Sequence, residues 1–392
     1  MTNKSQKVCI VTGSRAEYDL LSGVLSKISK DPDMELQLIV TGAHLSKKFG
    51  HTVDTIQNDG FPIAARIESL QPGDDYLSTS KSIAAGIVGA VDAFYRLSPD
   101  IVMVLGDRYE MLATVQAALI SQIPVAHIHG GELTIGAFDD AIRHAITKMS
   151  HIHFVAAQPY AQRVIQMGEI PKNVHIVGAL GLDNINNMEF LSREKLSKFF
   201  GLKIQSPFFL VTYHPVTLSD KFGELGLKAL ISVLDSIDDA IVVFTGVNSD
   251  PGHERIANII YEFCQSNPER TANFTSLGQL RYLSAMNLAN VVVGNSSSGI
   301  IEAPALGIPT VNIGRRQDGR IKANTIVDCG ETVDEISIAM EKALQMGRQK
   351  FKSHRGALKV DSTASDKIIQ VLKSTNLGHL LLKDFHSING IV

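Results

Sequence analysis

Short, β-branched apolar runs alternate with helical patterns along almost the whole 392-residue chain. That alternation restricts the fold to parallel sheets joined by helical crossovers. In the first half the runs fall at residues 8–12, 36–41, 101–105, 125–128, 153–156 and 174–177, and a second series at 208–212, 240–244, 291–294 and 310–313. They are apolar at odd and even positions alike, as strands covered by helices on both faces must be. Between strands, 82–97 reads as a helix that Ser98-Pro99-Asp100 stops. A polar, helix-prone stretch at 184–202 separates the two series, and the length exceeds what one hydrophobic core organises. The expected architecture is α/β: two Rossmann-like, doubly wound domains facing each other across a cleft. The first covers 1–183 and is rejoined by a C-terminal helix at 376–392; the second covers 184–375. Open parallel sheets bind ligands at strand C-termini, so the chemistry is sought there.

Composition removes several classes of partner. The formal net charge is −3, with 44% apolar and 20% charged residues, which gives no electrostatic reason to bind nucleic acid or a membrane surface. No apolar stretch reaches the roughly 20 residues needed to span a bilayer, and the N-terminus lacks a signal peptide's apolar core and cleavage site. Cys9, Cys264 and Cys329 are odd in number, far apart and in no metal-like spacing. A cytoplasmic protein with a small-molecule partner is expected.

Five constellations follow strand runs. Thr12-Gly13-Ser14-Arg15-Ala16-Glu17-Tyr18-Asp19 follows the first. Gly13 allows a tight turn, the helix start offers backbone N–H groups to an anion, and Arg15 adds a guanidinium; a plain turn with a solvated arginine would look the same. Gly294-Asn295-Ser296-Ser297-Ser298-Gly299, with Glu302 one turn into the next helix, presents hydroxyls and amides to a diphosphate and a carboxylate to a ribose diol. One serine would suffice for a helix cap. Gly314-Arg315-Arg316-Gln317 supplies cations after the next strand. Gly106-Asp107-Arg108-Tyr109-Glu110 joins a carboxylate and a guanidinium at a strand end, suited to proton transfer or hydroxyl binding, or to a structural ion pair.

The fourth constellation is the densest: His127-Ile128-His129-Gly130-Gly131-Glu132, then Asp139-Asp140-Ala141-Ile142-Arg143-His144. Strand alternation would send His127 and His129 to one side, and Asp139/Arg143 and Asp140/His144 are each four apart on a helix. Acids, bases and imidazoles at this density suit proton transfer near neutral pH. No spacing resembles a zinc motif, so no metal is expected. The fifth is Thr212-Tyr213-His214-Pro215, a histidine at the end of the second series' first strand.

Taken in order, GSRAEYD, GDRYE, HIHGGE…FDDAIRHAITKMSHIHF, YHP and GNSSSGIIEAP…IGRRQ closely resemble the hydrolysing UDP-N-acetylglucosamine 2-epimerases of sialic acid biosynthesis, from about residue 7 to about residue 325. The resemblance implies the two-Rossmann fold also seen in GT-B glycosyltransferases, and conversion of UDP-N-acetylglucosamine and water into UDP and N-acetylmannosamine. The reaction would run by elimination across C1–C2 and rehydration with C2 inverted, without metal or nicotinamide. A similar subfamily acts on UDP-2,4-diacetamido-2,4,6-trideoxyglucose in legionaminic acid synthesis, and GAFDDAIRH resembles it at least as well. Asp107 and Asp139 match positions implicated in acid–base work. His214, Ser296, Ser297, Glu302 and Arg316 match positions that hold UDP, and Arg15 lies beside the phosphates; Arg108, Arg143 and Asn248 are counted with the substrate-binding set. Many members carry a catalytic glutamate where this chain has His129, which leaves His129 and Glu132 as candidates for that proton. A GT-B glycosyltransferase and a non-catalytic UDP-sugar sensor are the rival readings. A homodimer or homotetramer built through first-domain helices is expected, because the apolar residues of 82–97 cover more than one helix face.

Overall fold

The computed structural model describes residues 5–186, 188–349 and 362–388, and it divides into two compact α/β units. The first unit holds Met1–Glu132, Asp139–Asp183 and Arg355–Val392; the second holds Leu133–Phe138 and Asn184–His354.

The first unit is built on a seven-stranded parallel sheet of order β3-β2-β1-β4-β5-β6-β7. Its strands are β1 Gln6–Thr12, β2 Met34–Thr41, β3 Ile63–Ile67, β4 Ile101–Leu105, β5 Val125–Ile128, β6 Ile152–Val155 and β7 Val174–Ile176. Its helices are α1 Arg15–Lys30, α2 Val53–Asn58, α3 Tyr76–Leu97, α4 Tyr109–Ile120, α5 Asp139–Met149, α6 Gln158–Gln166 and α7 Leu180–Asn186. The period-2 geometry of a strand sorts the sheet's residues into two cores. Val8, Ile10, Leu38, Val40, Ile101 and Met103 pack with Leu21, Leu25 and Ile28 of α1. Cys9, Val11, Ile39, Val102 and Val104 pack with Ala90, Ala93 and Phe94 of α3 and Met111 and Val115 of α4.

The second unit repeats this plan with a six-stranded parallel sheet of order β10-β9-β8-β11-β12-β13. Its strands are β8 Phe208–Thr212, β9 Ile241–Thr245, β10 Thr271–Phe274, β11 Val291–Gly294, β12 Thr310–Ile313 and β13 Ile326–Cys329. Helices α8 Arg193–Phe200, α9 Glu224–Asp235, α10 His253–Ser266, α11 Gly278–Leu288, α12 Ser298–Ala305 and α13 Val333–Met346 cover it. Phe209 and Val211 pack toward α9, α10 and α13, while Phe208 and Leu210 pack toward α8, α11 and α12. In each sheet the winding reverses beside the first strand, between β1 and β4 and between β8 and β11. Each unit therefore carries its own topological switch point at strand C-termini.

The sequence expectation and the structure differ at the C-terminus. Over 376–388 there is no α-helix, only a 3-10 turn at Leu377–His379; residues 389–392 lie outside the described residues. The returning helix comes earlier, at α14 Ala364–Ser374, so among the described residues the chain is back in the first unit from residue 362 rather than 376. Its buried stripe, Ala364, Ile368 and Leu372, joins the α1 core. Asp183 caps it, accepting from the Ala364 and Ser365 amides at 2.9 and 2.8 Å. Beyond the helix the tail is fastened by Lys383 and by the His386 amide, which donates to the Gly168 carbonyl at 2.9 Å. Lys383 Nζ donates to the Lys148 and Ser150 carbonyls and to Glu169, at 2.6, 2.7 and 2.8 Å.

Candidate active site

In the first unit the acid–base residues gather around Arg143, which α5 carries inward. Its Nη2 pairs with the Asp107 carboxylate and its Nη1 donates to the His129 carbonyl at 2.7 Å. Burial works against this cation, but Asp107, Glu132 and Asp139 outweigh it and hold the guanidinium above its ordinary pKa. One arginine thus brings Asp107, His129, Glu132 and Asp139 into a single electrostatic cluster, although they come from the end of β4, the loop after β5 and the first turn of α5. The other helical pair is looser: His144 Nε2 lies 3.6 Å from Asp140.

The two histidines of the HIHGG segment have different fates, and the same-side reading is overturned. β5 ends at Ile128, and His129 leaves it with φ of +63°, so strand alternation does not extend to it. His127 is fully buried between Thr147 Oγ1 at 3.1 Å and the Gly106 carbonyl at 2.8 Å. Burial pushes its pKa down to about 3, so it stays neutral with Nε2 donating, and it braces the turn that presents Asp107. His129 instead sets Nδ1 2.5 Å from Glu132 Oε1, while its buried Nε2 has no hydrogen-bond partner among the described residues. A carboxylate that fixes one ring nitrogen leaves the other as a defined proton acceptor. Gly131 allows the loop to lie against the α6 backbone: a Cβ there would come within 2.4 Å of the Tyr160 carbonyl. Arg163, which the sequence reading did not single out, clamps the Gly131 carbonyl. Nothing in its sequence surroundings marks it.

The first turn after β1 differs from its expected form. The Gly13 and Ser14 amides are not open to an anion, because both donate to Glu17 Oε2, at 2.7 and 2.9 Å. Burial pushes Glu17 up to about 8, Arg108 opposing and Glu110 adding to the shift. Arg108 grips Glu110 through Nε and Nη2, both at 3.1 Å, with Glu110 only 1% exposed in its side chain. In this structure Arg108 therefore supports the turn from within a buried carboxylate network. Arg15 sits at the helix start and reaches Asp19 at 3.3 Å. Burial raises Asp19 to about 6 against the pull of Arg15.

In the second unit Asn295, quoted in the motif but not singled out, is the organising residue. Its side-chain amide spans the His214 backbone, accepting from N at 2.7 Å and donating to O at 2.8 Å. Its own carbonyl accepts from Gln317 Nε2 at 2.8 Å and Arg316 Nη1 at 3.3 Å. The loops after β8, β11 and β12 are thereby fixed together, and His214, Ser296, Ser297 and Arg316 are brought to one end of the sheet. Gly294 permits this: a Cβ there would stand 2.0 Å from the Thr212 carbonyl. Ser296 Oγ lies 3.1 Å from Ser298 Oγ, which in turn meets Tyr282 OH at 2.5 Å. Ser297 opens α12 without a side-chain cap bond and is half-buried. Glu302 is buried one turn on, within electrostatic reach of the Tyr282 phenol. Asn248 follows β9 and is half-buried. A serine-lined helix N-terminus with a basic loop beside it suits a diphosphate. Among the described residues no group of three or more His, Cys, Asp or Glu side chains is placed to hold a metal ion.

A sequence model of the family described as UDP-N-acetylglucosamine 2-epimerase matches residues 26–373. The chain is 40% identical to a GDP/UDP-N,N'-diacetylbacillosamine 2-epimerase (hydrolyzing) of Campylobacter jejuni, over 97% of this chain and 98% of that protein. It is 34% identical to a UDP-N,N'-diacetylbacillosamine 2-epimerase (hydrolyzing) of Legionella pneumophila, over 96% and 98%. Among solved structures, the UDP-GlcNAc 2-epimerase of Methanocaldococcus jannaschii in complex with UDP-GlcNAc and UDP shares the fold. Its TM-score is 0.78 at 17% identity, covering 94% of this chain and all of that one. With the family model spanning most of the chain and two relatives matching from end to end, this chain belongs to the UDP-N-acetylglucosamine 2-epimerase family.

Proposed function

We propose that the protein is a hydrolysing 2-epimerase that converts a nucleotide-linked 2,4-diacetamido-2,4,6-trideoxyglucose and water into the free 2-epimeric sugar and a nucleoside diphosphate. The observation that carries this reading is the end-to-end similarity to two relatives named for hydrolysis of that sugar's nucleotides, at 40% and 34% identity. The motifs alone put UDP-N-acetylglucosamine first. The family description keeps that substrate as the comparison arm of the test.

The site residues take roles that follow from their surroundings. The second unit's loops, with Ser296, Ser297, His214 and Arg316, hold the diphosphate, and Glu302 the ribose. Asn248 and Arg15 complete the binding set. In the first unit the His129–Glu132 pair removes the C2 proton at Nε2 as the C1–O bond breaks, releasing nucleotide and leaving a 2-acetamidoglycal. Water then adds, its oxygen to C1 and a proton to C2 from the opposite face. Asp139 and Asp107 serve this second proton transfer and the protonation of the leaving group, with Arg143 holding their charges. A nonulosonic acid pathway, a cytoplasmic setting and self-association belong to the same proposal.

The test is a reaction in heavy water with the UDP- and GDP-linked diacetamido sugars and with UDP-N-acetylglucosamine, followed by NMR. The expected product is a free manno-configured diacetamido sugar carrying deuterium at C2, beside free nucleotide. A gluco-configured product that keeps its C2 hydrogen would mean simple hydrolysis. A 2-epimer still attached to nucleotide would mean non-hydrolytic epimerisation. Preferential turnover of UDP-N-acetylglucosamine would return the substrate to the first reading of the motifs.

A further inference from the structure

The chain leaves the first unit after Glu132 and re-enters it at Asp139, and the six residues between fold with the second unit. That segment, Leu133–Phe138, is bonded to two loops. From the loop after β12, Arg320 Nε donates to the Leu133 carbonyl at 2.8 Å and Arg320 Nη2 to Thr134 Oγ1 at 3.3 Å. The Ile135 amide donates to the Arg316 carbonyl at 3.2 Å. Leu133 also packs over Gly319, where a Cβ would stand 2.4 Å from Leu133 Cδ1. From the loop after β8, Thr217 Oγ1 accepts from the Phe138 amide at 3.0 Å, and the Leu218 amide donates to the Gly136 carbonyl at 2.9 Å. These are the loops that carry Arg316 and His214.

We propose that Arg320, assisted by Thr217, is a positioning residue that ties the acid–base residues Glu132 and Asp139 to the state of the nucleotide-binding loops. The proposal rests on the acid–base reading given above. A half-buried guanidinium holding one carbonyl and one hydroxyl fixes both position and direction of a short segment. Each end of that segment is a peptide bond away from a proton-transfer residue. A displacement of the Arg316 loop when a diphosphate binds is therefore transmitted along covalent chain to both carboxylates. Nucleotide in place is then a condition for correct placement of the acid–base pair, which restricts elimination to the fully bound substrate. Arg320 touches no reacting atom in this scheme. Its effect is on the alignment of others, where misplacement by about 1 Å costs on the order of a hundredfold in rate.

The experiment uses full-length Arg320→Gln, Arg320→Lys and Thr217→Val, each checked for folding by circular dichroism. Calorimetric affinity for UDP should stay within about threefold of the unaltered protein. The kcat of Arg320→Gln, on the sugar nucleotide the unaltered protein turns over, should fall about a hundredfold with little change in KM. Arg320→Lys should recover part of the loss, and Thr217→Val should show a smaller loss of the same kind. In hydrogen exchange, UDP should slow the Ile135 and Phe138 amides of the unaltered protein but not those of Arg320→Gln. Unchanged kcat in both Arg320→Gln and Thr217→Val would overturn the proposal. So would UDP affinity and kcat falling together, which would make Arg320 a nucleotide contact. If the unaltered protein binds UDP but turns over no sugar nucleotide, the functional reading fails. The exchange measurement then still decides the coupling, since loss of UDP-dependent protection in Arg320→Gln supports it and retention defeats it.

Discussion

At the scale of single residues, the proposed chemistry rests on side chains whose neighbours fix their protonation. Asp107→Asn and Asp139→Asn keep shape but remove a carboxylate, and each is expected to lower kcat by about two to four orders of magnitude if it transfers a proton. His129→Glu restores the residue common elsewhere in the resembling family, but it places a carboxylate where His129 Nδ1 now lies 2.5 Å from Glu132. Two carboxylates at that spacing repel, so one holds a proton near neutrality. The expected result is a pH–rate profile with its acidic limb moved, because a proton-abstracting base must be deprotonated, measured as kcat against pH. A profile identical to the unaltered enzyme's would show that the imidazole is not the group that titrates. Glu17 offers a pH test of stability. Its pKa is raised from 4.5 to about 8, first by burial. Between those values the folded chain holds a proton that the unfolded chain has released, so this group's contribution to stability falls as pH rises through the window and is level above it. Glu17→Gln keeps an acceptor for the Gly13 and Ser14 amides and removes the titration. Its urea midpoint should therefore decline less between pH 5 and 8 than that of the unaltered protein, and equal slopes would refute the assignment. The residue types at these sites were legible in the sequence because acids and bases cluster visibly. Their partners were not: that Glu17 occupies its own turn's amides, or that His129 leaves the strand, depends on backbone geometry that spacing does not encode.

At the scale of elements, the central strands and the edge strand β7 were legible, and the other three edges were not. Residues 101–105, 125–128, 208–212, 291–294 and 310–313 are apolar at every parity because both their faces are covered, and they fold as β4, β5, β8, β11 and β12 with those bounds. The strands that escaped notice, β3, β10 and β13, all lie at sheet edges, where only part of each strand is buried. An edge strand need not be apolar throughout, so Ala-Ala-Arg or Thr-Ala-Asn gives no run to detect. The C-terminal tail escaped for a related reason: it is held by polar contacts in an extended segment rather than by a helical stripe. Lys383 donates to two carbonyls at the end of α5 and to Glu169. Burial would raise Glu169, yet hydrogen bonds from His153, Lys148 and Lys383 hold it down at about 2. Lys383→Met removes three charge-assisted bonds at once and is expected to destabilise the fold by about 1.5–3 kcal/mol. The His386 amide, which donates to the Gly168 carbonyl, should exchange faster in the variant. An unchanged urea midpoint together with unchanged exchange would show that Lys383 does not hold the tail.

At the scale of the whole molecule, the outer face of α3 bears on self-association. Helix α3 is 22 residues long, and its inner face, with Gly86, Ala90, Ala93 and Phe94, is buried in the first unit. Its outer face is also apolar: Leu77, Val88, Val91 and Tyr95 are 61, 63, 39 and 88% exposed. Val88, Val91 and Tyr95 follow one another at spacings of three and four, so they form one stripe. Helix α4 packs beside α3 and ends in Leu119 and Ile120, 43 and 81% exposed. An exposed apolar stripe of this kind is a common mark of an interaction surface. A second copy of the chain is the occupant expected, because a twofold axis lets the same stripe meet itself and leaves no further copy of the patch uncovered. Light scattering at micromolar concentration should then give twice the 42.5 kDa chain mass, or four times that mass if dimers pair again. Val88→Lys would set two like charges against each other across the axis and return the chain to 42.5 kDa, while circular dichroism stays unchanged because the side chain faces outward. Since the acid–base cluster and the nucleotide loops each lie within one chain, the dissociated variant should still bind UDP. A 42.5 kDa species for the unaltered protein, or a Val88→Lys variant that keeps the unaltered protein's mass, would remove α3 from the interface.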